Sequence, residues 1–278
     1  MKTYLGSNNA FKAAVFLASC ALTAIASSNV DKPAVDWVAV LAGENRTPAY
    51  VLRDKYRNPA ETLVFFQVEK NQAVVEIWPG GGWYTEILAP LLKQQGQFYA
   101  ASFPAETPVE YYKKSRARYD AKMAANPEVY DAVIVTELAP PEFIDIAPMG
   151  SADRVLTFRN VHNWMKAGSA EGVFTAMHSA LKPDGLLGIV EHRAKPGTLF
   201  ADMIKSGYVT EAAVIKLATD AGFELVESSE INANFADTAD HPRGVWTLPP
   251  SLRLGDTDKD KYLAIGESDR MTLLFKKS

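Results

Sequence analysis

The chain has 278 residues, of which 47% are hydrophobic and 22% are charged, and these proportions are ordinary for a globular protein with a sizeable core. Its formal net charge is −4 and no basic run stands out, which argues against a nucleic-acid partner. Cys20 is the only cysteine, so the rest of the chain is excluded from internal disulfides, thiol redox chemistry, cysteine nucleophiles and thiolate metal sites.

Residues 1–26 have the pattern of a secretory signal peptide. Two lysines precede an uncharged apolar stretch at residues 13–25, and Ala24-Ile25-Ala26 fits a small-x-small cleavage site. We therefore predict export to the periplasm of a single domain, residues 27–278, with an N-terminal helical extension. The alternative is a lipoprotein, because the residues up to Cys20 resemble a lipoprotein box; only a lipidated Cys20 would attach the chain to a membrane.

A dense charged segment, Arg53-Asp54-Lys55-Tyr56-Arg57, precedes the first predicted strand. It follows a helix predicted around residues 35–41 and leads into another that begins at Pro59 with Asn58 as its N-cap. Such a segment is typical of a solvated surface. The alternative function is the lining of a cofactor or substrate cleft.

Residues 73–78 form an apolar run that carries Glu76 and then turns through Gly80, Gly81 and Gly82 into a predicted helix from residue 83 to about 94. The run predicts a parallel strand that is covered on both faces. Glycines let the backbone approach a ligand closely, and the N–H groups of a helix start favour electron-rich ligand atoms.

Two known glycine motifs fit this turn poorly. Trp83-Tyr84 stand where a Walker-type phosphate loop needs Lys and then Ser or Thr. Thr85 occupies the place of the third glycine of a dinucleotide fingerprint, which argues against a nicotinamide-dependent reductase. A glycine-rich turn without any ligand remains as an alternative.

The next elements continue the alternation of strands and helices. A second strand is predicted at residues 98–103, a helix with a basic, solvated face at 109–125 and a third strand at 130–135. Residues 155–158 then predict a short buried strand that ends in Arg159, Asn160 and His162. Ligand clefts of open parallel sheets lie at such carboxyl ends, so these three side chains are expected beside the glycine turn. A hydrogen-bonded structural role is the alternative for His162.

A further strand ends in Glu191-His192-Arg193, after the turn Leu181-Lys182-Pro183-Asp184-Gly185. Arg193 would pair with a substrate carboxylate or, alternatively, would form a structural ion pair with Glu191 or Glu76. A helix capped by Thr210, a sixth strand at 223–228 and an alternating last strand at 270–277 complete the pattern, and the alternation predicts that the last strand is an antiparallel edge strand. The long segment 231–268 has the length of a functional lid.

These elements predict one doubly wound α/β domain. Three of its segments together resemble the class I S-adenosylmethionine-dependent methyltransferase superfamily, in a bacterial branch. Glu76 with Gly80 and Gly82 resembles its first motif, although Trp78 replaces the first glycine; Phe158 to Trp164 resembles its fourth-strand region; Leu181 to Gly185 resembles the turn before its fifth strand. The resemblance implies a mostly parallel seven-stranded sheet with an antiparallel last strand.

The resemblance also implies S-adenosylmethionine as cofactor and methyl transfer to a small-molecule acceptor. His162 is the first candidate for general base, and His192 and Arg193 are further catalytic candidates; Tyr84 and Trp164 would wall the substrate pocket. No acidic residue ends the second strand, so Ser102 and Phe103 are the candidates for the ribose and adenine. The full set of predicted cofactor-binding residues is Glu76, Pro79, Gly80, Gly81, Gly82, Ser102, Phe103, Asn160 and Val161.

An exported, non-catalytic ligand-binding protein that kept this fold is the alternative function. Export favours it because S-adenosylmethionine is made in the cytoplasm. The absence of the second-strand acid favours it as well.

Overall fold

The computed structural model describes Met1 and residues 35–278, so the predicted signal peptide and Cys20 lie outside the described residues. Residues 35–278 contain seven strands. They are β1 Ala73–Ile77, β2 Gln97–Ser102, β3 Val133–Glu137, β4 Ala152–Phe158, β5 Leu181–His192, β6 Phe223–Ser229 and β7 Arg270–Lys277.

Helices surround these strands, and none in residues 35–278 combines the length and apolarity that a membrane span requires. A short 3₁₀ helix, Gly244–Thr247, lies in the segment between β6 and β7. The α-helices are α1 Trp37–Leu41, α2 Pro48–Val51, α3 Asp54–Arg57, α4 Pro59–Phe65, α5 Thr85–Leu92, α6 Glu110–Ala125, α7 Pro127–Tyr130, α8 Val161–Ala167, α9 Ala170–Ala180, α10 Phe200–Ser206, α11 Glu211–Asp220 and α12 Lys259–Ile265.

The strands form one sheet in the order β3-β2-β1-β4-β5-β7-β6. The pairs from β3 through β5 are parallel, and β7 runs antiparallel to both β5 and β6. This confirms the predicted mostly parallel sheet with its antiparallel seventh strand. β7 lies between β5 and β6 rather than at an edge, and its burial on both faces follows from that position.

Alternate residues of β1 enter two different cores. Val75 and Ile77 pack on one face of the sheet, with α8 and α9. Val74 packs on the other face, with α4 and α5, and Phe66 at the end of α4 approaches β5 closely. A Cβ on Gly188 would lie 2.6 Å from the Phe66 ring, so the absence of a side chain at this position lets helix and sheet meet. Glu76 shares the Val74 face because side chains alternate along a strand.

The N-terminal helices bind to the later part of the chain through polar contacts. Asn58 does not cap α4 with its side chain, contrary to the prediction. Asn58 has φ +39°, and its side-chain amide donates to the Ile231 carbonyl at 2.7 Å. Residues 48–58 therefore lie over the carboxyl ends of the strands, where they can contribute to a cleft.

Candidate functional site

The glycine turn, residues 78–84, begins with Trp78 in a left-handed conformation, φ +46°. The Trp78 ring is nearly buried and packs against Phe103 and Trp164, with ring centroids 4.5 and 5.9 Å away. Its Nε1 donates to the Leu138 carbonyl at 3.1 Å. The indole therefore fills the space between the ends of β2 and β3, where the chain shows aromatic packing instead of an acidic side chain.

The rest of the turn stays open on one side. Gly80 has φ +59°, and apart from its chain neighbours no atom of residues 35–278 lies within 4 Å of the position that a Cβ would take. Gly81 is pinned because Tyr50 Oη donates to its carbonyl at 3.0 Å, and a Cβ at Gly81 would lie 2.4 Å from that oxygen. Within residues 35–278, neither the Gly80 N–H nor the Gly81 N–H donates a backbone hydrogen bond. Both amides are therefore available to a ligand.

Glu76 lies beneath this turn and is buried. Its Oε2 accepts a hydrogen bond from Thr85 Oγ1 at 2.7 Å, and the Tyr119 hydroxyl lies 3.2 Å from the same Thr85 oxygen. Burial raises the pKa of Glu76 to about 7, and the Thr85 hydrogen bond and the Lys122 charge oppose that rise. A buried carboxylate with one hydrogen-bond donor is suited to a cationic ligand group.

Two cavities of about 1110 and 300 Å³ open at the turn. Gly80, Asn160, His162 and Trp246 line both of them. The larger extends past Phe103 toward α6 and α10, whereas the smaller extends over Glu76 toward the N-terminal helices. The turn is therefore not closed by its tryptophans, and ligand pockets commonly have about this size, 300–1,000 Å³.

His162 and His192 meet at the ends of β4 and β5, and Glu191 links them. Both histidines are buried, and their ring centroids lie 5.4 Å apart. His162 Nδ1 lies 3.0 Å from Glu191 Oε1, and the His192 backbone N–H donates to the same oxygen at 2.8 Å. His192 Nδ1 lies 2.6 Å from Ser268 Oγ. Burial, and then His162 and the nearby arginines, lower the pKa of His192 well below its ordinary value, so its ring is neutral.

This trio also has the composition of a metal site, because its ligand atoms lie within 4.8 Å of one another. The charges around it oppose that use. Arg57, Arg159 and Arg270 are near enough to lower the pKa of His192, and the same charges repel a divalent cation. The Glu191 contact instead fits an orienting role toward His162, since a carboxylate on one imidazole nitrogen fixes which nitrogen carries the proton.

The arginine cluster, Arg53, Arg57, Arg159 and Arg270, surrounds Glu267. Arg53 Nε and Arg57 Nε donate to the two Glu267 oxygens at 2.6 and 3.1 Å, and Arg270 Nη1 lies 3.4 Å from Oε2. Burial alone would raise the pKa of Glu267, but the four guanidinium charges lower it to about 2. Arg53, Arg57, Arg159 and Glu267 line the smaller cavity with His162 and His192.

Several predicted site residues border the cavities. Six of the predicted cofactor positions do so, as do two of the catalytic candidates and one predicted wall residue: Glu76, Pro79, Gly80, Gly81, Phe103, Asn160, His162, His192 and Tyr84. Asn160 is also held in place, because its amide donates to the Ile77 carbonyl at 2.9 Å.

Four others do not border either cavity. Ser102 and Val161 are buried, and Trp164 is fully buried in the core, so the proposed wall role of Trp164 is wrong. Gly82 closes the turn through its N–H, which donates to the Pro79 carbonyl at 2.9 Å. Its φ of +78° explains the glycine there.

Arg193 is also not in the cleft, contrary to the substrate-pairing prediction. Its guanidinium donates to Glu230 at 2.7 and 2.6 Å, to Asp269 at 2.9 and 3.0 Å and to Glu211 at 3.2 Å. The structural alternative holds, but with different partners from the predicted Glu191 or Glu76. The reason is the strand alternation: His192 faces the cavity, so the next residue faces away from it.

Sequence reasoning missed the partners that come from distant segments. Glu267 and Ser268 stand just before β7 and carry no local motif, yet they bind the arginine cluster and His192. The charged segment 53–57 did carry a signal, and the structure places Arg53 and Arg57 at the cavity rather than on a solvated face. Trp246 of the 231–268 segment also borders both cavities, and its ring lies 6.0 Å from the His162 ring.

No protein-family model and no curated protein matches this sequence. Solved structures do match the fold. The chain is similar to a SAM-dependent methyltransferase from Aquifex aeolicus, with a TM-score of 0.55 and 14% identity over 88% of this chain and 100% of that one. It is similar to the [4+2]-cyclase SpnF, with a TM-score of 0.51 and 14% identity over 80% of each chain. With the strand order 3-2-1-4-5-7-6 and its antiparallel seventh strand, residues 35–278 have the class I SAM-dependent methyltransferase fold.

Proposed function

We propose that this chain transfers a methyl group from S-adenosylmethionine to a small-molecule acceptor. The observation that carries the proposal is one shared cleft: the Glu76–Gly80 turn and the His162–Glu191 pair border the same cavity. The fold alone does not decide the reaction, as its likeness to a protein named a cyclase illustrates. The site residues carry the argument instead.

The turn fits the amino-acid portion of the cofactor. Glu76 would hold the ammonium group, and the free N–H groups of Gly80 and Gly81 would bind the carboxylate. The adenosine would lie in the larger cavity, against Phe103 and Asn160. Ser102 is not available to the ribose because it borders neither cavity. When bound there, the cofactor supplies an electrophilic methyl group on its sulfonium.

The protein then has to align the acceptor, exclude water and remove a proton where the nucleophile carries one. His162 has the geometry of a general base. Glu191 lies against Nδ1 of His162, and the His162 ring borders both cavities. His192 is neutral and adjacent, so it contributes a hydrogen-bonding group rather than a charge.

The first test is calorimetric titration of the full chain with S-adenosylmethionine, S-adenosylhomocysteine and NADH. We expect binding of the first two and none of NADH. Failure of both S-adenosyl compounds to bind would end the proposal. Binding without methyl release to any acceptor in a broad panel would instead favour the non-catalytic alternative.

His162→Gln tests the base. We expect turnover to fall by about 10²–10⁴-fold, the usual contribution of a positioned base, while the Kd of S-adenosylhomocysteine changes by less than about twofold. His178→Gln is the matched control, since His178 lies on α9 and borders neither cavity. Undiminished turnover of His162→Gln would remove His162 from this role.

A further inference from the structure

The arginine cluster has more donors than its protein partners can fill. Arg53 Nη2 and Arg57 Nη2 are buried and have no hydrogen-bond acceptor among residues 35–278. The Arg159 guanidinium makes no hydrogen bond or ion pair with any described residue in 35–278, although it borders the cavity. Buried guanidinium donors are normally paired, so this cavity is bordered by two arginines with one unpaired nitrogen each and by the half-buried Arg159, whose guanidinium has no partner among the described residues.

The charge balance points in the same direction. The charges of four guanidinium groups all act on Glu267, which is the carboxylate that Arg53, Arg57 and Arg270 contact. Burial is the main cause that lowers the pKa of Arg57 well below its ordinary value and that of Arg159 to about 10; the neighbouring arginines lower both further, and Glu267 opposes them. An additional anion in this position would relieve the repulsion among the arginines.

The cluster contacts the glycine turn at one end, where the Arg57 guanidinium lies 4.7 Å from the centre of the Trp83 ring, and extends from there along the sheet edge. Glu267 stands just before β7 and Arg270 is the first residue of β7, which is three strands from β1 in the sheet order. Three strand spacings amount to about 14 Å along the sheet edge. His162 and His192 lie between, on β4 and β5, and Ser268 next to Glu267 contacts His192 directly. The end of the cluster formed by Glu267 and Arg270 therefore lies beyond the two histidines, whereas Arg57 reaches the turn at Trp83.

We propose that the methyl acceptor carries an oxyanion, a carboxylate or a phosphate, which binds to Arg53, Arg57 and Arg159 while the reacting atom faces His162. Arginine suits this task because its planar donors match carboxylate and phosphate oxygens in pairs. The identification of the anion as part of a methyl acceptor rests on the proposed function. The anion subsite itself can be measured whether or not methyl transfer occurs.

The experiment titrates the full chain with inorganic phosphate and, separately, with succinate, each with and without saturating S-adenosylhomocysteine. We expect at least one of the two anions to bind, with a Kd that S-adenosylhomocysteine changes by less than about threefold. The preferred anion then distinguishes a phosphorylated acceptor from a carboxylated one. Competition between the anion and S-adenosylhomocysteine would overturn the proposal, because the cluster would then hold the cofactor's own carboxylate.

Two variants localise the binding. Arg159→Gln and Arg53→Gln should each weaken anion binding by about tenfold or more and should change the Kd of S-adenosylhomocysteine by less than about twofold. Arg118→Gln, on the exposed face of α6, is the matched control and should change neither. Unchanged anion affinity in both cluster variants, or no binding of either anion to the wild type, would refute the subsite. Absence of S-adenosylhomocysteine binding would refute the proposed function and leave the anion result standing.

Discussion

Arg193 and the arginine cluster both lie near the carboxyl ends of the strands, but their guanidinium groups are paired to opposite extents. Arg193 makes five hydrogen bonds to three carboxylates, those of Glu211, Glu230 and Asp269. A guanidinium has five N–H donors, so Arg193 has none left for a ligand. The arginine cluster shares Glu267 among four guanidinium groups, and within the described part of the chain Arg53 Nη2 and Arg57 Nη2 stay unpaired.

The difference separates a structural arginine from one that can bind a ligand. The neighbouring acids raise the pKa of Arg193, whereas burial and like charges lower the pKa of Arg159 to about 10. Arg193, whose donors are all paired, stabilises the fold around β7. The arginine cluster keeps a surplus of positive charge beside a cavity, and an anion bound there would stabilise the folded protein.

The largest expected effect comes from Glu267→Gln. Removing the shared carboxylate leaves buried arginines without their counter-charge, and breaking a buried pair in this way lowers the free energy of unfolding by about 3–5 kcal/mol. Denaturant unfolding of the full chain measures it. Phosphate should restore part of the loss, because a ligand that binds only the folded state stabilises it.

Glu171→Gln, on the exposed first turn of α9, is the matched control and should leave stability within about 0.5 kcal/mol of wild type. A Glu267→Gln protein as stable as wild type in phosphate-free buffer would contradict the account. In that case the four guanidinium groups would not repel one another appreciably.

Arg193→Gln should have a smaller effect. Its partners Glu230 and Glu211 are exposed on 61% and 40% of their side chains, so solvent screens two of the three ion pairs. We expect a loss of about 1–2 kcal/mol, carried mainly by the less exposed Asp269 pair. Anion and S-adenosylhomocysteine affinities should stay within about twofold of wild type. A tenfold loss of anion binding would place Arg193 in the site after all.

The fold was predictable because local signals agree with one another. The apolar run before Glu76, the Thr210 cap, whose Oγ1 accepts from the Ala213 N–H at 3.2 Å, and the alternation of residues 270–277 each specify an element, and their order specifies the sheet. The position of β7 inside the sheet was not predictable from its alternation. That position depends on pairing with β5, which is distant in sequence.

The site was predictable only on one side of the cleft. Glu76, Gly80 and His162 stand directly after or within strands and helices whose order is readable, so topology brings them together. Glu267 pairs with Arg57 across 210 positions, and no local pattern marks such a contact. Arg193 was misplaced because a residue type and a strand end do not reveal how many carboxylates surround a side chain.

Glu76 is the acidic counterpart of the arginine cluster, since its carboxyl group is also buried with fewer partners than its charge requires. Because its folded pKa is raised to about 7, the protonated form is favoured on folding. The stability that Glu76 contributes is therefore complete below its unfolded pKa and is lost as pH rises through about 7. Glu76→Gln should thus be more stable than wild type at pH 8, by denaturant unfolding without cofactor.

Cofactor binding should show the opposite dependence on pH, because an ammonium group needs the ionised carboxylate. Between pH 5.5 and 7 the affinity for S-adenosylhomocysteine should rise by about tenfold, since at the lower pH binding has to displace the Glu76 proton. Thr85→Val removes the hydrogen bond that lowers the Glu76 pKa, so it should move the midpoint of this rise to higher pH. In Glu76→Gln the pH dependence should disappear. Calorimetry across this range measures all three proteins, and a pH-dependent affinity that survives in Glu76→Gln would show that a different group recognises the amine.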